Sequence, residues 1–306
     1  MSQFVTIKVS AEKLIEMKEY YSSYLTPDNG EYVFFHAYKG GVEIVGYTSK
    51  KTNQKVTFKG EDALKEAQIW DLEAIEKEKK ETVKESWEYF GDQIGSDEVG
   101  VGDFLLPMIV VAAYVNKNQI SLLKEYGIHD SKKMTDKQIL EIGDKLVKEF
   151  EYSKLTLPNE KYNEMLTKGE NLNSLKAKMH NRALLNLHHK HMDVVNIFVD
   201  EFVKGPTFYR YLNDNNEETV PDIIFKTKGE SYFPCVALAS VIARYSFLKE
   251  VEKLEEKYEM KIPHGAGTKV NEVAKALLEK YGLEEFDKIA KKNFANYREV
   301  VDTKLV

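Results

Sequence analysis

From residue 89 onward, near-continuous apolar segments alternate with amphipathic ones. The apolar runs predict strands at 93–97, 104–115, 152–157, 194–200 and 222–227. The amphipathic stretches predict helices at 135–150, 160–166, 173–191, 232–258 and 271–281. The first two strands follow each other as a hairpin and the later ones alternate with helices, which implies a mixed sheet covered by helices. Residues 1–60 have a different rhythm. Phe4, Thr6 and Lys8 alternate with Val5, Ile7 and Val9, then Leu14, Met17, Tyr20 and Tyr21 recur at helical spacing. Three β-rich segments follow at 32–38, 42–47 and 55–59, separated by Gly40-Gly41 and by residues 49–53. Residues 61–88 contain no Gly or Pro and are mainly charged, as a solvated helix would be. The pattern therefore predicts an N-terminal domain at 1–60, an acidic helical linker at 61–88 and an α/β domain at 89–306.

Composition adds limits. A chain of 306 residues with 42% hydrophobic and 31% charged residues is globular rather than disordered or fibrous. Its only cysteine, Cys235, excludes an internal disulfide framework and a cysteine-based zinc site, and fits a reducing, cytoplasmic setting. The longest uncharged apolar run, 104–115, is too short for a membrane span and contains Pro107. The formal charge of -6 speaks against a nucleic-acid partner when taken whole. Its distribution weakens that objection. Residues 1–60 hold eight Lys against six acids, whereas 61–88 hold five Lys against ten acids.

Chemistry concentrates at predicted strand ends. Asp97 and Glu98 stand before a Gly100-Val101-Gly102 turn. Adjacent strand residues face opposite ways, so these two acids can share an ion only if the strand ends or twists there. The turn is no dinucleotide fingerprint, because the third glycine and the following helix are absent. Asp200 ends the apolar run 194–200, where open α/β sheets place their chemistry. Glu230 lies between the last strand and the long helix. Clustered carboxylates repel unless cations neutralise them, and an all-carboxylate set suits magnesium or manganese. Two such ions suit a phosphodiester displacement.

These residues resemble the type 2 ribonuclease H family. The signature comprises Asp97-Glu98-Val99-Gly100-x-Gly102, Asp130-Ser131-Lys132-Lys133 downstream, and Ala239-Ser240-Val241-Ile242-Ala243-Arg244. Val101 between the glycines, Glu230 as fourth carboxylate, the run 173–181 and the run 263–268 all look like the HIII branch rather than the HII branch. The resemblance implies a ribonuclease H-like mixed five-stranded sheet flanked by helices. It also implies a small N-terminal α+β domain resembling half of a TATA-box-binding protein. It further implies an endoribonuclease cleaving the RNA strand of RNA/DNA hybrids, with 5′-phosphate and 3′-hydroxyl products and two Mg²⁺ or Mn²⁺ ions. Asp97, Glu98, Asp200 and Glu230 would be the catalytic metal ligands. Gly100 and Gly102 would contact the ribose 2′-hydroxyl. Rival expectations are junction cleavage of the HII type and a non-catalytic hybrid-binding protein.

Other candidates are weaker on residue type alone. Lys132 and Lys133 are placed to meet phosphates, and Lys176 and Asn181 to form a substrate wall on the polar face of their helix. Lys39, Lys50, Lys51, Lys55 and Lys59, interleaved with Tyr38, Tyr47 and Phe58, suit nucleic-acid binding by the N-terminal sheet. His180, His188, His189 and His191 are read as a surface cluster, because no companion ligands for zinc are evident. A monomer with no obligate protein partner and no membrane contact is expected.

Overall fold

A computed structural model describes residues 3–27, 32–48, 54–71, 74, 87–213 and 218–302, without the side chains of Asp130 and Lys132. The chain divides into two compact units, residues 1–84 and 85–306.

In the first unit the order is β1 (Gln3–Val9), α1 (Ala11–Tyr20), β2 (Val33–Lys39), β3 (Val42–Tyr47), β4 (Gln54–Gly60) and α2 (Ala63–Gln68). Ser10 caps α1 by accepting from the Lys13 N–H at 3.2 Å. Among the described residues the strands form one antiparallel sheet in the order β1-β4-β3-β2. Val5, Ile7, Val56, Phe58, Ile44 and Phe35 form a core with Leu14 and Met17 of α1 and with Ala63 and Ala67 of α2. That core corrects two expectations. Phe58 is fully buried, so it is not one of the exposed aromatics. The segment after residue 60 starts not as a linker but as α2, whose small apolar residues close the domain. The rest of the predicted linker, 72–86, lies outside the described residues apart from Ala74.

The second unit contains β5 (Gln93–Val99), β6 (Met108–Val115), α3 (Ile120–Glu125), α4 (Asp136–Glu149), β7 (Tyr152–Leu157), α5 (Asn159–Thr167) and α6 (Leu172–His188). It continues with β8 (Ile197–Asp200), α7 (Gly205–Asn213), β9 (Ile224–Lys226), α8 (Pro234–Tyr258), α9 (Thr268–Ile289) and α10 (Ala295–Asp302). Among the described residues these strands form one mixed sheet in the order β7-β6-β5-β8-β9. The β5–β6 and β6–β7 pairs are antiparallel, and β5–β8 and β8–β9 are parallel.

The sheet is covered on both faces, which explains why β6 reads as unbroken apolar sequence. Ile109, Val111, Ala113 and Val115 join the core under α8, while Val110 and Ala112 join the core under α6. Gly95 of β5 lets α8 come close: a Cβ there would lie 2.5 Å from the Cys235 Sγ and 2.9 Å from the Val236 N. The start of α8 has no local side-chain cap, and Gln93 of β5 supplies one across 142 residues by accepting from the Cys235 N–H at 3.2 Å. Residues 104–107, predicted as strand, instead form a buried bend ahead of β6. The predicted helix at 271–281 extends to Thr268–Ile289 across a kink at Gly282, where φ is 78°. No helix among the described residues is long and apolar enough to cross a membrane.

Candidate active site

The carboxyl ends of β5 and β8 lie side by side, because Ser96 is in register with Val199. Each acid reaches its position through strand alternation. β5 does not stop at Asp97 but runs to Val99, pairing Asp97 with Val111 and Glu98 with Val110. The two acids therefore keep opposite facings.

Asp97 turns toward α8, on the side of Ser240, and its Oδ1 accepts from the Glu98 N–H at 2.8 Å. Burial, followed by the charges of Glu98 and Asp200, pushes its carboxyl up to about 8. Asp200 accepts from the Gly229 N–H at 2.9 Å. Burial raises its carboxyl too, reinforced by Glu230 and Glu98 and partly offset by that N–H. A Cβ on Gly229 would sit 3.3 Å from the Asp200 Cα, so glycine brings the loop carrying Glu230 close to the end of β8.

Glu98 turns the other way, onto α6. Its Oε2 is 2.9 Å from the His180 Nε2, and its Oε1 forms an ion pair with Lys176. Burial pushes this carboxyl up, but His180 and Lys176 outweigh burial and hold it below the usual range. His180 is fully buried, and its Nδ1 is 2.8 Å from the Ser96 Oγ. A carboxylate only accepts, so the His180 Nε2 carries the proton in this chain of bonds. The Phe202 ring stacks on His180 with centroids 5.2 Å apart and lies 4.0 Å from the Lys176 ammonium.

Three sequence expectations change here. His180 belongs to the site and not to a surface cluster. Lys176 is buried against Glu98 rather than facing outward as a wall. Asn181, 1% exposed, fastens the loop before β9, donating to the Glu218 O at 2.7 Å and accepting from the Val220 N–H at 3.0 Å. The helical period places Lys176 and Asn181 on the polar face, and the histidine cluster reads as surface, but α6 is buried at all three positions. The missed signal was spacing: Lys176 and His180 are one turn apart, facing a strand that carries an acid.

The Gly-Val-Gly turn follows directly. Gly100 has φ +85°. Val101 is half-buried against the cluster of Met108, Tyr162 and Leu175. Gly102 is exposed, with open space where a Cβ would stand. Lys133 is exposed, while Lys50 and Lys51 and the side chain of Lys132 lie outside the described residues. In the N-terminal unit Lys39 pairs with Glu66 at 2.8 Å and reaches the Tyr20 hydroxyl at 3.2 Å, so it joins α2 to the sheet.

Among the described residues, no three acids and histidines are gathered as a ready metal shell. The reason is the opposite facing of Asp97 and Glu98 together with the hold of Lys176 and His180 on Glu98. The donor chemistry nevertheless fits a hard divalent cation. It is all oxygen, and it includes a half-buried aspartate raised by desolvation and by its anionic neighbours.

A family model of ribonuclease HII matches residues 94–297. Ribonuclease HIII of Bacillus mycoides is 39% identical over 97% of both chains. This chain belongs to the ribonuclease HIII family. It is accordingly an enzyme of the ribonuclease H class. Ribonuclease HIII of Bacillus anthracis is 38% identical over the same share. The crystal structure of Bst-RNase HIII in complex with Mn²⁺ matches with a TM-score of 0.68 at 30% identity, over 98% of each chain. Ribonuclease H2 of Pyrococcus horikoshii shares the fold of the second unit, with a TM-score of 0.57, covering 69% of this chain and 98% of its own. Residues 3–83 match a separate model described as a domain of unknown function (DUF3378). The HIII relatives span both units, which accords with the HIII branch read from the sequence.

Proposed function

We propose that the enzyme cleaves the RNA strand of RNA/DNA hybrids internally, leaving 5′-phosphate and 3′-hydroxyl ends. The observation that carries this reading is that Asp97 and Asp200 stand at the adjoining ends of β5 and β8, with the loop carrying Glu230 brought close to Asp200 by Gly229, Glu98 on the other face and the Gly-Val-Gly turn just beyond it. Asp97, Glu98, Asp200 and Glu230 would hold two divalent ions. Mg²⁺ or Mn²⁺ bound there would stabilise charge on the attacking and leaving oxygens. Asp97 stands at the end of β5 on the side of Ser240, held through its Oδ1 by the Glu98 N–H, and would offer its carboxylate to a cation there. His180 orients Glu98, and Ser96 orients His180. The main chain of Gly100 and Gly102 receives the ribose 2′-hydroxyl, which separates RNA from DNA. With Val101 between them, no basic side chain demands a single-ribonucleotide junction. A monomer in the cytoplasm suits this role.

The test is cleavage mapping with each metal on a continuous hybrid and on a DNA duplex carrying one ribonucleotide. Cuts spread through the RNA tract are expected. Efficient cutting 5′ to the lone ribonucleotide would favour the junction reading, and metal-dependent binding without turnover would leave a hybrid-binding protein.

His180→Ala should weaken Mn²⁺ binding by about 10- to 100-fold, the usual effect of losing a residue that orients a ligand. Titration of Mn²⁺ into the metal-free protein measures it, and an affinity within twofold of the parent would count against the role.

The N-terminal sheet supplies affinity in this reading. Its outer face carries exposed Phe4 and Lys8 of β1 in register with Lys59 and Lys55 of β4, with Tyr47 of β3 beside Lys55 and Glu43 beside Lys59. The Lys55 ammonium is 5.5 Å from the Tyr47 ring. Lysines and aromatics on one sheet face suit a backbone-tracking surface. Removing residues 1–84 should raise KM for a hybrid about tenfold or more at physiological salt and keep most of kcat. Steady-state kinetics decide it, and an unchanged KM would remove the sheet from substrate binding.

A further inference from the structure

Lys291 has no part in the chemistry above, yet it is 1% exposed. It lies just beyond α9, its ammonium 5.6 Å from the Tyr162 ring and 5.7 Å from the Phe294 ring. Its hydrogen bonds go to main chain: Nζ donates to the Gly100 O at 2.5 Å and to the Asp103 O at 2.8 Å. Its own N–H donates to the Phe104 O at 3.0 Å. The same turn is held from another side. Asp103 accepts from the Gly265 N–H at 2.6 Å, and the Phe104 N–H donates to the Gly265 O at 2.9 Å.

A buried ammonium is costly, and an apolar side chain between two rings would serve packing at least as well. Here burial pushes the ammonium down to about 8, with Asp103 opposing. The charge instead draws in the carbonyls that flank Val101 and Gly102, and Gly102 is left as the open point of the turn.

We propose that Lys291 is a positioning residue for ribose selection, fixing the backbone of residues 100–103 in the shape that receives a 2′-hydroxyl. This rests on the reading of the Gly-Val-Gly turn as the ribose reader. It ties the segment after α9 to the main chain of the turn.

The full-length protein carrying Lys291→Met tests it. The measurements are Kd for an RNA/DNA hybrid and for the same sequence as DNA/DNA, with KM, kcat and melting temperature. The variant should lose about tenfold or more of the hybrid preference, as loss of charge-assisted hydrogen bonds predicts. KM should rise, kcat should stay within about threefold, and Lys291→Gln, which keeps a neutral amide donor, should recover part of the preference. A merely structural lysine would lower melting temperature and both affinities together and leave their ratio unchanged, which overturns the proposal. So does a chain that folds with neither substitution, since the ammonium is then a folding element. A parent enzyme with no preference for ribose would overturn the reading of the turn itself, a result distinct from failure of the variants alone.

Discussion

Asp97→Asn should lower metal-dependent cleavage of a hybrid by about 10³-fold or more, while raising the melting temperature of the metal-free protein. The two effects have one cause. Asp97 is half-buried beside Glu98 and Asp200, and desolvation with their charges raises its carboxyl to about 8. An acid whose folded pKa lies above its unfolded value favours the folded state while protonated. That contribution is complete below pH about 4 and is lost as pH rises through about 8. Asparagine removes this liability and keeps the size and one acceptor, so the variant should melt several degrees higher near pH 8. The same change deletes the central metal ligand of the proposed site. Loss of several kcal/mol of transition-state stabilisation corresponds to about 10³-fold or more. Melting curves at pH 5 and pH 8, with and without Mn²⁺, together with single-turnover cleavage, test both parts. Parent-like cleavage would remove Asp97 from the site, and unchanged melting at pH 8 would remove the electrostatic argument.

Gly100→Ala should destabilise the second unit by about 2–4 kcal/mol and raise KM for a hybrid by more than tenfold. At φ +85° an alanine is strained wherever space exists, and here there is none. Its Cβ would lie 2.0 Å from the Pro107 O and 3.0 Å from the Phe247 ring. Pro107 leads into β6 and Phe247 is in the core under α8, so neither yields cheaply; the turn must move instead. Gly102→Ala is the control. It meets open space at an ordinary φ, so melting should hold while KM still rises. Equal melting of Gly100→Ala and the parent would show that the turn adapts. An unchanged KM for Gly102→Ala would move ribose contact elsewhere.

Much of this architecture was legible from pattern. β3 and β7 fall at their predicted bounds, and α4, α5 and α8 begin or end within two residues of theirs. The missed pieces have physical reasons. α2 reads as a solvated connector because two small residues, Ala63 and Ala67, make its buried face. Residues 104–107 look like strand because they are apolar, but they are buried in a bend. α6 misleads most, because a helix wedged between sheet and loop buries Lys176 and Asn181 on the face that period alone assigns to solvent, and His180 with them.

By itself the sequence determined the class of chemistry: acids at strand ends, glycines where backbone must approach closely, and a length and charge distribution fitting two units. Such features follow from local rules of strand alternation and glycine freedom. Tertiary structure alone decided how the acids are divided. Continuing β5 through Val99 sends Asp97 to α8 and Glu98 to α6, where His180, 82 residues away, takes hold of it. It also decided that Lys291, 191 residues from Gly100, bonds to its carbonyl. Burial and partnership depend on what packs from a distance, and no local periodicity encodes that.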